Sequence, residues 1–339
     1  MAISLFATLW LAGWSHAATI RFEKIVSDAG LGAGASGVHS RVVTRRARAF
    51  AALELNGWGG VYTTKTGEQV TVYSSNAYPI DPAANQAIAD FLAGLVHGKE
   101  LSKVSVFMAP AEEVQSLCQS DEVDGCYYPT SGQLISIGED SQSSTVEEVL
   151  THEFGHHIAN NRFNDPWPAV AWGTKRWATY ENVCTKTELG RAFPGDEGEH
   201  YLQNPGEAFA ESYLHLNEVR KGLPETRWFY DVQFFPTRPA LDLIEQDVLK
   251  PWTAYSVYTW RGRFARRSQV GVATLKTPLD GIFELRLKGP RGSRVKILSK
   301  ETKQVSPTVA RGLICGQRSF LTEVVGGAAG VFTAKALVP

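Results

Sequence analysis

The stretch TVEEVLTHEFGHHIANN, residues 145–161, constrains this chain more than any other. Leu150, Phe154 and Ile158 recur every four residues, the spacing of an apolar stripe along one side of a helix. His152 and His156 also stand four apart, so their imidazoles lie one above the other on a neighbouring face. Such a helix must satisfy two environments at once. One side packs into a core, and the adjacent side presents two histidines and Glu153 to a cleft. Ser144-Thr145-Val146-Glu147 has the S-x-x-E form of a capping box and starts the helix about two turns before His152.

His152-Glu153-Phe154-Gly155-His156 is an H-E-x-x-H sequence. Two imidazoles on one face can hold a single metal ion. Glu153, next to the first of them, reaches a metal-bound water rather than the metal. Zinc lowers the pKa of such a water to about 7, and a carboxylate can then take its proton as it attacks a carbonyl. His157 points about 100° away from His156 and reads as a structural residue.

A catalytic zinc takes three protein ligands and leaves one position open. The extended pattern H-E-x-x-H-x-x-G-x-x-H is absent, because Ala159 and Arg162 occupy the required positions. The segment NPGEAFAESYLHLNEVRKG reads as a second helix, with Asn204 at the cap, Pro205 at the first helical position and Gly222 at the end. It offers Glu207 as third ligand. Glu211, one turn later, is placed to hydrogen-bond the outer nitrogen of a ligand histidine and fix its orientation. Glu207, Glu211 and His215 share one face of this helix, and Phe209, Tyr213 and Leu216 an apolar one. Glu199, His200 and Asp165 are competing ligands.

On His152, Glu153, His156 and Glu207 in its E-x-x-x-E setting, the chain resembles the gluzincins, zinc metallopeptidases with an H-E-x-x-H helix and a glutamate from a following helix. The likeness covers about residues 65–225. It implies an α+β, zincin-like fold in which a small twisted sheet lies over the first helix, with zinc between sheet and second helix. It also implies that a protein or peptide substrate adds in extended form along an edge strand, which GQLISIGED, just before the helix, is placed to be. A Tyr or His that stabilises the tetrahedral oxyanion is a further implication, with His200, Tyr201, Tyr213 and His215 as candidates.

The remaining sequence frames this core. The opening MAISLFATLWLAGWSHA resembles a secretory signal, with an apolar run from Ile3 to Trp14 and small residues at Ser15 and Ala17. Cleavage after Ala17 is expected, and with it a secreted or periplasmic protein. The run is too short to span a membrane, so no stable membrane insertion is expected. Four cysteines fit an oxidising compartment. A local Cys118–Cys126 bridge is the simplest pairing, which leaves Cys184 for Cys315.

Residues 18–40 are Gly- and Ala-rich and read as a loose lead-in, and 41–57 as a helix ending at Gly57. Residues 60–75 read as a hairpin, 81–98 as a helix from Asp81 to Gly98, 103–110 as a strand, and 163–203 as a long irregular stretch. The Trp-rich part of that stretch, Phe163 to Trp177, is expected to shape the substrate pocket. A last helix is expected near Arg238 to Leu249. From Pro251 short β-like runs alternate with turns and predict a smaller all-β, sandwich-like domain over 251–339, resembling modules that trail secreted bacterial peptidases. The catalytic domain is then 18–250.

The formal net charge of -1 gives no reason to expect nucleic acid as a partner. The basic runs Arg41, Arg45, Arg46, Arg48 and Arg261, Arg263, Arg266, Arg267 read as solvated faces. The expected function is that of a secreted zinc endopeptidase with Glu153 activating water. Two alternatives stand beside it: a zinc hydrolase acting on cell-wall peptide or another amide, and a non-catalytic exported binding protein.

Overall fold

A computed structural model describes residue 42, residues 56–297, 302–316 and 318–339. The expected signal, the lead-in and nearly all of the helix expected over 41–57 lie outside the described residues; Gly57 itself opens a strand. The chain is α+β, with a mixed part up to Leu249 and separate antiparallel sheets after it.

β1 (Gly57–Thr63) and β2 (Gln69–Ser75) make the expected hairpin, with Val70 and Val72 turned fully into the core. α1 (Pro82–Ala93) starts where the Asp81 carboxylate accepts the N–H groups of Ala83 and Ala84. It stops at Gly94, earlier than the Gly98 expected, because the Gly94 N–H already closes on the carbonyls of Asp90 and Phe91. β3 (Ser105–Ala109) runs parallel to β2. α2 (Ala111–Cys118) then carries Cys118 to its disulfide partner Cys126 in β4 (Gly125–Tyr128).

β5 (Gln133–Ile137) lies between β3 and β4, giving the sheet order β1-β2-β3-β5-β4. The sequence reading placed residues 132–140 at the sheet edge; the edge strand is β4 instead. Its four residues, GCYY, are all buried, so they show no alternation of apolar and polar positions. Their place inside the disulfide-closed segment disguised them as a loop.

α3 (Val146–Asn160) crosses this sheet and is buried from Val149 to Ala159. Its cap is Thr145, paired with Glu148, one residue later than the expected Ser144–Glu147 box. The stretch expected to be irregular is divided into short elements: β6 (Phe163–Asn164), β7 (Trp167–Pro168), α4 (Ala169–Trp172), α5 (Lys175–Tyr180) and α6 (Val183–Glu188). Each is too short for its periodicity to show in a sequence window. α7 (Pro205–Lys221) runs from its Asn204 cap to Gly222, which takes the left-handed conformation that ends many helices. α8 (Arg238–Leu249) closes this part.

The later strands are β8 (Ser256–Phe264), β9 (Val270–Thr277), β10 (Gly281–Lys288), β11 (Arg294–Ile297), β12 (Thr302–Ser306), β13 (Val309–Ile314), β14 (Arg318–Val325) and β15 (Gly330–Val338). They form a five-stranded sheet, β12-β13-β10-β15-β8, and a three-stranded one, β11-β14-β9. A core of its own, around Phe264, Phe283, Leu285 and Phe332, fills this part. The strand ends at Asp280 and Cys315 meet the helical part. Cys184 is bonded to Cys315, the Asp280 N–H donates to Thr179 Oγ1, and the Lys175 ammonium donates to the Asp165 carbonyl beneath the Trp252 ring.

Arg162 ties the end of α3 to the rest. Its guanidinium holds both oxygens of buried Glu100 at 2.9 and 3.0 Å and donates to the carbonyls of Asp247 and Val248 at the end of α8. Removing one partner of a buried pair strands the other charge. Arg162→Ala is therefore expected to lower the unfolding free energy by about 3–5 kcal/mol in urea titration. The double variant Arg162→Met with Glu100→Gln should lose less than the sum of its single changes.

Candidate metal centre

α3 and α7 cross at Gly155. A Cβ there would sit 2.9 Å from Ala210 Cα and 3.1 Å from its carbonyl oxygen, so only a glycine lets the two backbones approach this closely. The crossing brings the polar face of α7 against the polar face of α3. His152, His156 and Glu207 are buried together, with one ligand atom of each within 4.8 Å of the others. Glu211, one turn beyond Glu207, accepts a hydrogen bond from His152 Nδ1 at 2.9 Å. That bond sets the ring so that Nε2 turns inward, 3.3 Å from Glu207 Oε2.

His156 is fully buried, and neither of its ring nitrogens has a hydrogen-bond partner; Nε2 lies 3.3 Å from Glu207 Oε1 without hydrogen-bond geometry. A buried polar atom without a partner is costly, so this convergence of unsatisfied donor atoms fits a cation. The electrostatics agree. Burial alone would lower the His152 pKa, but the carboxylates of Glu207 and Glu211 overcome it and raise it to about 10. Burial lowers the pKa of His156, with Glu207 working against it. Burial would raise that of Glu207, and the two histidines override it and hold the carboxyl well below the usual range. The pair of carboxylates thus demands positive charge between the rings, and a divalent ion supplies it without protons.

Glu153 is fully buried between α3 and the sheet edge. A Cβ on Gly125 of β4 would meet its Oε1 at 3.1 Å and the Val149 side chain at 2.6 Å. The edge strand therefore runs directly past the Glu153 carboxylate. A cleft of about 350 Å³ opens on the site, walled by Glu148 and Val149, by Glu211 and Leu214, and by Phe229 and Tyr230. None of its lining comes from residues 163–177, which the sequence reading gave that task. The Trp167 and Trp172 rings stack on each other instead, and Lys175 lies against Trp167 and Trp252.

The other candidates are placed as follows. The Tyr201 hydroxyl donates to Glu207 Oε2 at 3.0 Å. Tyr213 is buried on the core side of α7, donating to the Val96 carbonyl. His200 stacks on Phe193 and contacts Asp196 at 2.9 Å. His215 lies near Glu225 and Thr226. Asp165 accepts from Tyr255, and neither it nor Glu199 joins the metal group. His157 keeps its structural reading: its Nε2–H donates to the Glu100 carbonyl, which leaves Nδ1 to accept from the Tyr127 hydroxyl.

Sequence reasoning missed Tyr230. Its ring stacks on His152 at 6.4 Å, and its hydroxyl lies 2.8 Å from that of Tyr201 and 3.5 Å from Glu207 Oε2. Burial and the nearby Glu207 carboxylate hold both phenols protonated. The aromatic run RWFYDVQFF was the available signal, but nothing in its spacing singles out one ring.

Compared with known proteins, the chain matches no family model, no curated protein and no solved structure. What the site can do follows from its own atoms: two imidazoles and a carboxylate able to hold a metal ion, a second carboxylate beside them, and an open cleft.

The crossing at Gly155 is testable. Alanine favours a helix over glycine by about 1 kcal/mol, yet Gly155→Ala is expected to weaken metal binding about tenfold or more by pushing α7 outward. Competition against a metallochromic chelator measures this. Unchanged affinity would show that the close crossing does not set the site.

Proposed function

We propose that the chain is a zinc-dependent peptidase of the gluzincin type, exported and acting on protein or peptide substrates. The observation that carries this is the buried His152-His156-Glu207 group with Glu153 beside it at the sheet edge. Histidine nitrogens with one carboxylate are the donor set of a catalytic zinc. His152, His156 and Glu207 would hold the ion, and Glu211 orients His152 from behind. Bound there, zinc would supply Lewis acidity toward the carbonyl and a water acidic enough to lose a proton near neutral pH.

The chain's own residues do the rest. Glu153 accepts the proton of the attacking water and passes it to the leaving amine. β4 already carries a parallel bridge from Val42 at Tyr127, so an extended peptide would pair with its outer edge toward Gly125, beside Glu153, with its carbonyl over the site. Tyr230, buried and kept protonated where it lines the cleft at His152, is the donor best placed to meet the negative charge that develops on the carbonyl oxygen. This gives the oxyanion role to a residue outside the group expected from the sequence. Two disulfides support export.

Glu153→Gln is expected to lower kcat by about 10²–10⁴ on a peptide library while about one zinc per chain stays bound. Glu207→Ala should lose the metal itself, read by elemental analysis. A Glu153→Gln protein with normal turnover would remove the mechanism, and a metal-free wild type would remove the site.

Tyr230→Phe should reduce kcat by about 10²–10³ with little change in KM or zinc content. An equal loss in Tyr201→Phe alone would transfer the role to Tyr201.

A further inference from the structure

The net charge of -1 hides a division. Residues 251–339 carry fifteen Lys and Arg against four Asp and Glu, a net of +11, whereas residues 1–250 carry nineteen against thirty-one, a net of -12. Asymmetry of this size within one chain points to a charged partner for one part.

Strand register shows where the cations go. Residues two apart on a strand share a face. In the five-stranded sheet, Phe283, Leu285, Ala334 and Ala336 point inward. The outward positions hold Arg261 and Arg263 on β8, Lys335 on β15, and Arg286 and Lys288 on β10. Arg311 on β13 and Lys303 on β12 extend the same face. All of these are exposed.

The pairing sets them side by side: Lys335 opposite Arg286, Thr333 between Arg261 and Lys288, and Arg311 opposite Lys303. Among the described residues the one acid on this face is half-buried Glu284, ion-paired to Arg286 and directly across from Arg311. On the other sheet, by contrast, Lys296 has Glu323 at 3.5 Å. Like charges on neighbouring strands destabilise a sheet, so the arrangement costs stability that an anionic partner would relieve.

We infer that this face docks peripherally on the surface of an anionic lipid bilayer. Every strand of the sheet contributes cations, so the charge is spread in two dimensions rather than along one row. A planar anionic surface can meet all of them within one Debye length, about 10 Å at 0.1 M salt. A linear polymer would meet one row at a time. The outward positions between the cations are Thr259, Thr333, Val309, Leu313, Val331 and Leu337, with no aromatic ring on which unpaired bases could stack.

Val331 is 70% and Leu313 38% exposed, small apolar tips at headgroup depth. An attachment made by these cations is electrostatic and reversible by salt. Among the described residues the helical part meets the β-part through Cys184–Cys315, Asp280 and Tyr255.

The test uses the full mature chain and needs no catalysis. It is sedimented with vesicles of phosphatidylcholine alone and with vesicles containing about one third phosphatidylglycerol. Binding is expected only to the second, and is expected to vanish on raising salt from roughly 0.1 to 0.5 M. The triple variant Arg261→Glu, Arg311→Glu, Lys335→Glu should partition at least about tenfold less, with an unchanged circular dichroism spectrum. Equal binding to both vesicles, no binding to either, or an unaffected triple variant would overturn the inference. So would binding to heparin or duplex DNA, or salt-sensitive self-association, without vesicle binding.

Discussion

Two helix backbones in contact at Gly155 and Ala210 hold the candidate site together. A glycine in mid-helix gives up about 1 kcal/mol of helix propensity. In return, the approach lets side chains from both helices converge. Without it, Glu207 and Glu211 would project past the histidines rather than between and behind them. The helices are also pinned outside the crossing, by Phe154 packing near Tyr213 and by Arg162 clamping Glu100 beneath the last turn of α8. A buried group of this polarity is tolerable only when its members are held in register.

The same crossing explains why α3 is buried on nearly all sides, when its sequence suggests one apolar stripe. Leu150, Phe154 and Ile158 face the main core, Val149 faces a second cluster under β4, and the histidine face is covered by α7. Only the side toward Glu148, Leu214 and Tyr230 stays open. The Cys118–Cys126 bridge ties α2 to the edge strand, and the edge strand in turn fits against Glu153 because Gly125 has no side chain. Fold, edge and site are thus one packing problem. Among the described residues the β-part joins it at Asp280 and Cys315 and through Trp252 and Tyr255. The seven cations of its broad basic face are exposed, and the division of charge between the two parts gives the molecule a sidedness.

Much of this was legible in local spacing. His152 and His156 four apart and Asn204-Pro205 before Glu207 are patterns within a single helix, where geometry follows directly from sequence separation. Glu211 one turn after Glu207 belongs with them. The cysteines were legible for another reason: four of them leave few pairings once a near one is taken. Errors of one residue at the α3 cap and of one turn at α1 reflect competing hydrogen bonds at helix ends, which spacing does not rank.

The sequence by itself determined which side chains have metal chemistry and which helices carry them, because those features repeat within a few residues. Only the tertiary structure decided that Glu207 rather than Glu199, His200 or Asp165 meets the histidines, and that β4 rather than β5 forms the edge. It also decided that Tyr230 walls the cleft and that seven cations from five strands share one face. Each of these depends on contacts between residues far apart in the chain. Such contacts are set by how whole elements pack, and no local pattern encodes them.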